Sequence, residues 1–150
     1  MSGADPEPNK FLAVSFMTDA KQYRQAAVII SESRYEGVTS PHYFLIAQSI
    51  ELYLKAYIIA AGGTRSQLMK ADTRHSLEKL LLLASERGYS PRSKKTSAVV
   101  EMLAPHHRDH SFRYRKVGFK TYPTIREGLD TLERMDREIS PIVTRSTPKL

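Results

Sequence analysis

The sequence predicts an all-α fold, an antiparallel up-and-down bundle of about five helices. Three observations predict it. Apolar residues recur at the three-to-four spacing of a helix face along most of the chain. Serine–proline pairs and a Thr-x-x-Glu box mark helix starts, while glycines and prolines mark helix ends. No stretch carries the period-two alternation of a half-buried strand strongly enough to compete. Amphipathic helices with short connections then bury their apolar faces against one another.

The first helix is expected from about Phe16 to Arg34, with Phe16, Ala20, Tyr23, Ala27 and Ile30 on one face. Gly37 can take the left-handed conformation of a helix stop. The second opens at Ser40-Pro41, a cap followed by a proline whose missing N–H is harmless in a first turn. Its body, "HYFLIAQSIELYLKAYIIA", is apolar almost all round and should be the buried centre. A loop, "GGTRSQLMKADTR", leads to a third helix, "HSLEKLLLLASERG", whose stripe is Leu77, Leu80, Leu81 and Ala84. Ser90-Pro91 repeats the cap-and-proline device for a fourth helix, about Arg92 to Leu103, which Pro105 should stop. Thr124 to Glu127 forms a capping box, in which each side chain accepts the other's backbone N–H. It opens a last helix carrying Ile125, Leu129, Leu132, Met135 and Ile139, which Pro141 should end or kink.

Domain organisation follows. Residues 1–14, acidic and proline-containing, read as a flexible lead; residues 15–143 as a single helical domain; residues 144–150 as a loose tail. The lead has no basic flank before an apolar core, so a signal peptide is not expected. No long uncharged apolar run suggests a membrane span. The absence of cysteine excludes disulfides, thiolate metal sites and a cysteine nucleophile, and fits a cytoplasmic protein. Tyr53 and Tyr57, one turn apart, read as core. The run "LLLLA" exceeds what one face needs, and the surplus is expected to bury against a second copy.

The charge is uneven. Of a net +7, residues 87–120 hold nine Lys/Arg against two Asp/Glu, and the rest of the chain balances. Inside this block lies "HHRDHSFRYRK", His106 to Lys116, with three of the five histidines. Its aromatics could stack on unpaired bases while Arg108, Arg113, Arg115 and Lys116 hold phosphates; equally, the aromatics could anchor a crossing segment and the arginines point to water. Histidines titrate near neutrality, so His106, His107 and His110 have the residue type for acid–base catalysis, with Arg113 or Arg115 stabilising a phosphorane. A zinc site on the same three histidines is disfavoured by four adjacent cations, and neither a metal nor another cofactor is expected. Glu51 and Lys55, four apart, share a helix face and can pair. They either orient a basic site residue or serve the bundle alone. His75 reads as a helix-start residue with a local hydrogen bond.

Three stretches together resemble the HEPN family of small helical bundles. "SIELYLKAYIIAAGG" is similar to that family's buried helix, with Glu51 and Lys55 at its Glu and Lys positions. "TRHSLEKLLLLA" resembles its next helix start, with His75, Leu77 and Leu80 matching. "FRYR" resembles an Arg-Tyr segment found late in some members. The likeness covers roughly residues 15–140. It implies an RNA- or nucleotide-directed role, often dimeric, in toxin–antitoxin or anti-phage systems with a partner protein encoded nearby. Many members are metal-independent ribonucleases whose signature is an Arg followed by a His after four to six residues. Here Arg108 precedes His110 by a single intervening residue, and Arg113, Arg115 and Arg126 have no later histidine. RNA or nucleotide binding through His107, Arg108, Arg113, Tyr114, Arg115 and Lys116 is therefore expected ahead of cleavage by His110 and Arg113. Glu51, Lys55 and His75 would be supporting residues. A non-catalytic protein-interaction module is the third reading.

Overall fold

A computed structural model describes residues 6–33, 37, 39–108 and 122–146. The described residues form six helices and no strand: α1 (Pro6–Glu32), α2 (Thr39–Ala60), α3 (Arg65–Met69), α4 (Leu77–Glu86), α5 (Lys94–Arg108) and α6 (Ile125–Ser146). The architecture is the all-α helical bundle that the periodicity predicts.

The bundle is built around α2. A helix apolar on every side has no face for water, and α1, α4, α5 and α6 all pack against it. These four also touch in sequence around it, α1 on α6, α6 on α5 and α5 on α4. By length and composition α2 could cross a bilayer, yet about 78% of its apolar window is already covered by the other helices, as expected of a core helix. Ile46, Ile50, Tyr53, Leu54 and Ile58 are wholly buried.

Five polar side chains of α2 are bonded to neighbouring elements. His42 Nε2 donates to the Ala27 carbonyl (2.8 Å) and Ser49 Oγ to the Ala20 carbonyl (2.8 Å), tying α2 to α1. Tyr43 donates to the carbonyl of Pro123, just ahead of α6. Tyr53 donates to Asp136 Oδ1 on α6 (2.7 Å), which also accepts from Lys21 of α1 (2.7 Å). Tyr57 donates to the Arg87 carbonyl at the end of α4 (3.1 Å). Among the described residues no buried side-chain nitrogen or oxygen lacks a partner.

Five boundaries differ from the sequence expectations. Residues 6–14 are helical and continue α1, so the expected lead is largely the start of a helix; Pro6 and Pro8 fall in its first turn, where no N–H is needed. Part of the expected loop after α2 is α3, capped by Thr64 and Gln67, whose side chains each accept the other's N–H. Helix α5 starts later, at Lys94, with Ser93 Oγ accepting the Lys95 N–H. It then runs through Pro105, and α6 runs through Pro141 into the expected tail. Both prolines are exposed, as are Glu101 and Arg137 one turn before, so the carbonyls left without donors face water. The opposite faces keep burying side chains beyond the prolines, His107 in α5 and Val143 in α6. The expected stops at Gly37 (φ +83°) and Gly88 (φ +103°) do carry left-handed glycines.

Ala13, Ala20 and Ala27, seven residues apart and fully buried, form the α1 stripe facing the bundle. Their small size lets the α1 carbonyls reach His42 and Ser49. Ala20→Leu should therefore destabilise the fold by about 1–3 kcal/mol through overpacking. Urea unfolding should show a lower midpoint with an unchanged slope.

Candidate functional site

Glu51 sits in the middle of α2 with its carboxylate almost wholly buried. A bare buried carboxylate would neutralise itself by taking a proton, so the fold must surround it with donors. Three elements supply them. Lys55, one turn along α2, brings its ammonium to 3.1 Å from Oε2. His75, on the segment just before α4, brings Nδ1 to 3.0 Å from Oε1. His107, in the last turn of α5, brings Nε2 to 2.9 Å from the same oxygen. An ionised carboxylate only accepts, so both imidazole nitrogens carry the proton and donate.

Each donor is held by ordinary local structure. Lys55 lies four residues after Glu51, and its ammonium also stands 6.0 Å above the Phe16 ring of α1, a loose cation–π distance. His75 precedes Ser76, the N-cap of α4, whose Oγ accepts the Lys79 N–H (3.2 Å). His107 extends the buried stripe of α5 after Val100 and Leu103, at spacings of seven and four. The two imidazoles meet edge to face, with centroids 6.5 Å apart. Glu51 and His107 are buried, while the side chain of His75 keeps 43% of its surface exposed.

The electrostatics are dominated by two opposing effects. Burial pushes the Glu51 carboxyl up. The hydrogen bond and charge of His107, the Lys55 ammonium and the His75 hydrogen bond together outweigh it and bring the carboxyl down to about 2. Glu51 is thus an anion at any ordinary pH. The cluster is a fixed negative oxygen with two oriented imidazoles, one of which reaches the surface. Glu51, His75 and His107 also form a donor set that could hold a metal ion, with ligand atoms all within 4.8 Å of one another.

Four of the residues expected to matter therefore come together, Glu51, Lys55, His75 and His107. Two do so in different roles from those expected. His75 bonds to α2, 24 residues away, instead of locally. His107, expected to contact nucleic acid, is 5% exposed and turned onto Glu51, because α5 continues through Pro105. Arg108 is exposed at the end of α5, with Nη1 3.8 Å from Glu78 Oε2. His106 stacks on Tyr122 (4.4 Å), and Tyr122 on Tyr43 (4.9 Å). His110, Arg113, Tyr114, Arg115 and Lys116 lie outside the described residues.

Sequence reasoning missed a second feature, a cavity of about 400 Å³ whose lining includes Tyr57, Tyr89, Arg92, Arg137, Glu138 and Arg145. Glu138 organises it, accepting from Tyr89 Oη (3.1 Å) and the Arg92 N–H (3.0 Å). None of the Glu51 cluster lines it. No family model, no curated protein and no solved structure matches the chain.

Because the folded-state carboxyl of Glu51 lies near 2 and the ordinary value is 4.5, its contribution to stability is complete above pH 4.5 and disappears as the pH falls through about 2. The difference corresponds to about 3 kcal/mol. Urea midpoints measured from pH 6 to pH 2 should show this loss in the native chain. They should show it reduced by that amount in Glu51→Gln/Lys55→Met, where anion and ammonium are removed together. Glu51→Gln alone should be destabilised at neutral pH by about 3–5 kcal/mol, since it strands the Lys55 charge.

Proposed function

We propose that this chain is a HEPN-like protein of the cytoplasm that binds RNA or nucleotides as a homodimer, in a bacterial toxin–antitoxin or defence setting. The observation that carries this reading is a convergence. The stretches that suggest the family are distant in sequence, yet Glu51 and Lys55 from the first, His75 from the second and His107, at the head of the basic–aromatic segment, meet on one carboxylate. A structural ion pair would need only Glu51 and Lys55. The two added imidazoles tie the α4 start and the α5 end to the same point.

The chain leaves α5 at Arg108 and returns at Tyr122, whose ring stacks on His106. The described residues that flank Arg113, Tyr114, Arg115 and Lys116 in sequence, Arg108 and Tyr122, thus stand beside His107 and against His106. In this reading the arginines and Lys116 grip phosphates and Tyr114 stacks on a base. Glu51, Lys55 and His75 hold His107 and with it the end of α5, which precedes those residues in sequence. Binding ranks above cleavage because the family's Arg-to-His spacing is missing. The dimer is supported by apolar side chains left exposed on α4 and α5, Leu82 at 53% and Met102 at 36%.

A native gel with end-labelled single-stranded RNA and a tRNA, in EDTA, tests the reading. A shift that weakens with salt is expected, without fragments in a parallel denaturing gel. In Arg113→Ala/Arg115→Ala the slope of log affinity against log salt should fall by about 1.4, the value for two lost phosphate contacts on a single strand. No shift at low salt would remove the nucleic-acid reading in favour of a protein-interaction module. Fragments in EDTA would replace binding by cleavage and point to His110. Light scattering at micromolar concentration should give twice the chain mass, falling to one chain in Leu82→Glu.

A further inference from the structure

We propose that Glu51, His75 and His107 form a binding site for a single zinc ion. The inference rests on the geometry of this cluster and does not depend on the RNA-binding reading.

The donor set has the chemistry zinc prefers. Two imidazoles and one carboxylate are a recurrent set of three protein ligands for zinc, leaving the fourth tetrahedral position for water or another ligand. The three donors come from three separate elements, the middle of α2, the lead into α4 and the end of α5. They are therefore positioned by the bundle and not by a local turn. Both histidines address the same oxygen, Oε1, at 3.0 and 2.9 Å. Two imidazoles serving only to neutralise a carboxylate could take one oxygen each; here Lys55 occupies Oε2 and both rings converge on Oε1.

The distances are close to those zinc requires. Bonds of 2.0–2.2 Å in a tetrahedron separate neighbouring donors by roughly 3.3–3.5 Å. Each imidazole would retreat from Oε1 by less than about 0.6 Å from its present contact, with the two rings drawn into the same spacing from a separation of at most 4.8 Å. Side-chain rotations achieve this without moving a helix. His75, half-exposed, offers a route inward, whereas Glu51 and His107 are sealed.

The ion takes the positions of the two N–H protons facing Oε1. A neutral imidazole keeps its single proton on the other ring nitrogen, Nε2 in His75 and Nδ1 in His107, and an imidazolium gives up the proton facing Oε1 to the buffer. Glu51 stays ionised, and Lys55 stays on Oε2. The ammonium opposes the ion, so it limits affinity; this gives the proposal an internal check with a sign opposite to that of ligand removal.

The test uses the full chain, treated with EDTA and dialysed, then titrated with zinc chloride against a chromogenic chelator, with circular dichroism to verify folding. One zinc per chain is expected. His75→Ala should bind at least tenfold more weakly, and so should His107→Ala where it folds. Lys55→Met should bind as tightly as the native chain or more tightly. His106→Ala should be unchanged. Because His75 is half-exposed, its variant decides the matter even if the buried positions do not tolerate substitution. No zinc bound by the native chain, or equal affinity in the native chain and folded His75→Ala, would overturn the proposal.

Discussion

The structure depends on keeping one carboxylate charged inside an apolar core. Glu51 lies where α2 is covered on all sides, and burying an unpaired charge there is prohibitive. The carboxylate is retained because Lys55, His75 and His107 present three donors to its two oxygens. This constraint reaches well beyond α2. The chain before α4 must place His75 against α2, and α5 must remain helical past Pro105 to deliver His107. Replacing the group by a well-packed apolar one need not weaken the bundle, since buried ion pairs are poor sources of net stability. A network that ties three elements to one atom has its value in fixing their relative positions.

Five other polar groups of α2 follow the same logic at lower stakes. His42, Tyr43, Ser49, Tyr53 and Tyr57 each find one partner on α1, before or on α6, or at the end of α4. A purely apolar central helix could rotate or slide among its neighbours with little penalty. Hydrogen bonds from α2 to α1 and α6 and near the ends of α4 and α5 leave one register in which all are made at once. Asp136 does for α1, α2 and α6 what Glu51 does for α2, α4 and α5. Its carboxyl is raised by burial but lowered on balance by hydrogen bonds from Lys21 and Tyr53 and by the charges of Lys21 and Arg24.

Much of the fold is legible in the residues. The buried character of α2, the capping box at Thr124 and Glu127, and the glycine stops all follow from local patterns, and the Glu51–Lys55 pair follows from its spacing. The two interior prolines were opaque for one reason. A proline is read as a breaker from its missing N–H, but the loss falls on the carbonyl four residues earlier, and water can serve that carbonyl when both residues are exposed. The α5 stripe contained the missing information, since His107 continues the spacing of Val100 and Leu103. A histidine on the apolar face of a helix is a candidate for a buried partner, and among the described residues Glu51 is the carboxylate buried deepest. What no local pattern gives is the pairing of His75 with His107, residues 32 positions apart that meet only because both reach α2.

That pairing also decides how the site can behave. With protons on Nδ1 of His75 and Nε2 of His107, the cluster is a closed hydrogen-bond network whose ring orientations are fixed by Oε1. With a cation in their place, the same three atoms become ligands, and the same orientations are used. The two occupancies compete for one set of lone pairs, so the network cannot be strengthened in one form without raising the cost of the other. Lys55 biases this competition towards protons, because it neutralises Glu51 and repels a second cation. The half-exposed ring of His75 makes the competition responsive to solvent, because exchange at the cluster can begin from the surface. His107 itself stands in the last turn of α5, between the stacked His106 and the exposed Arg108, so the cluster and the end of that helix share one turn.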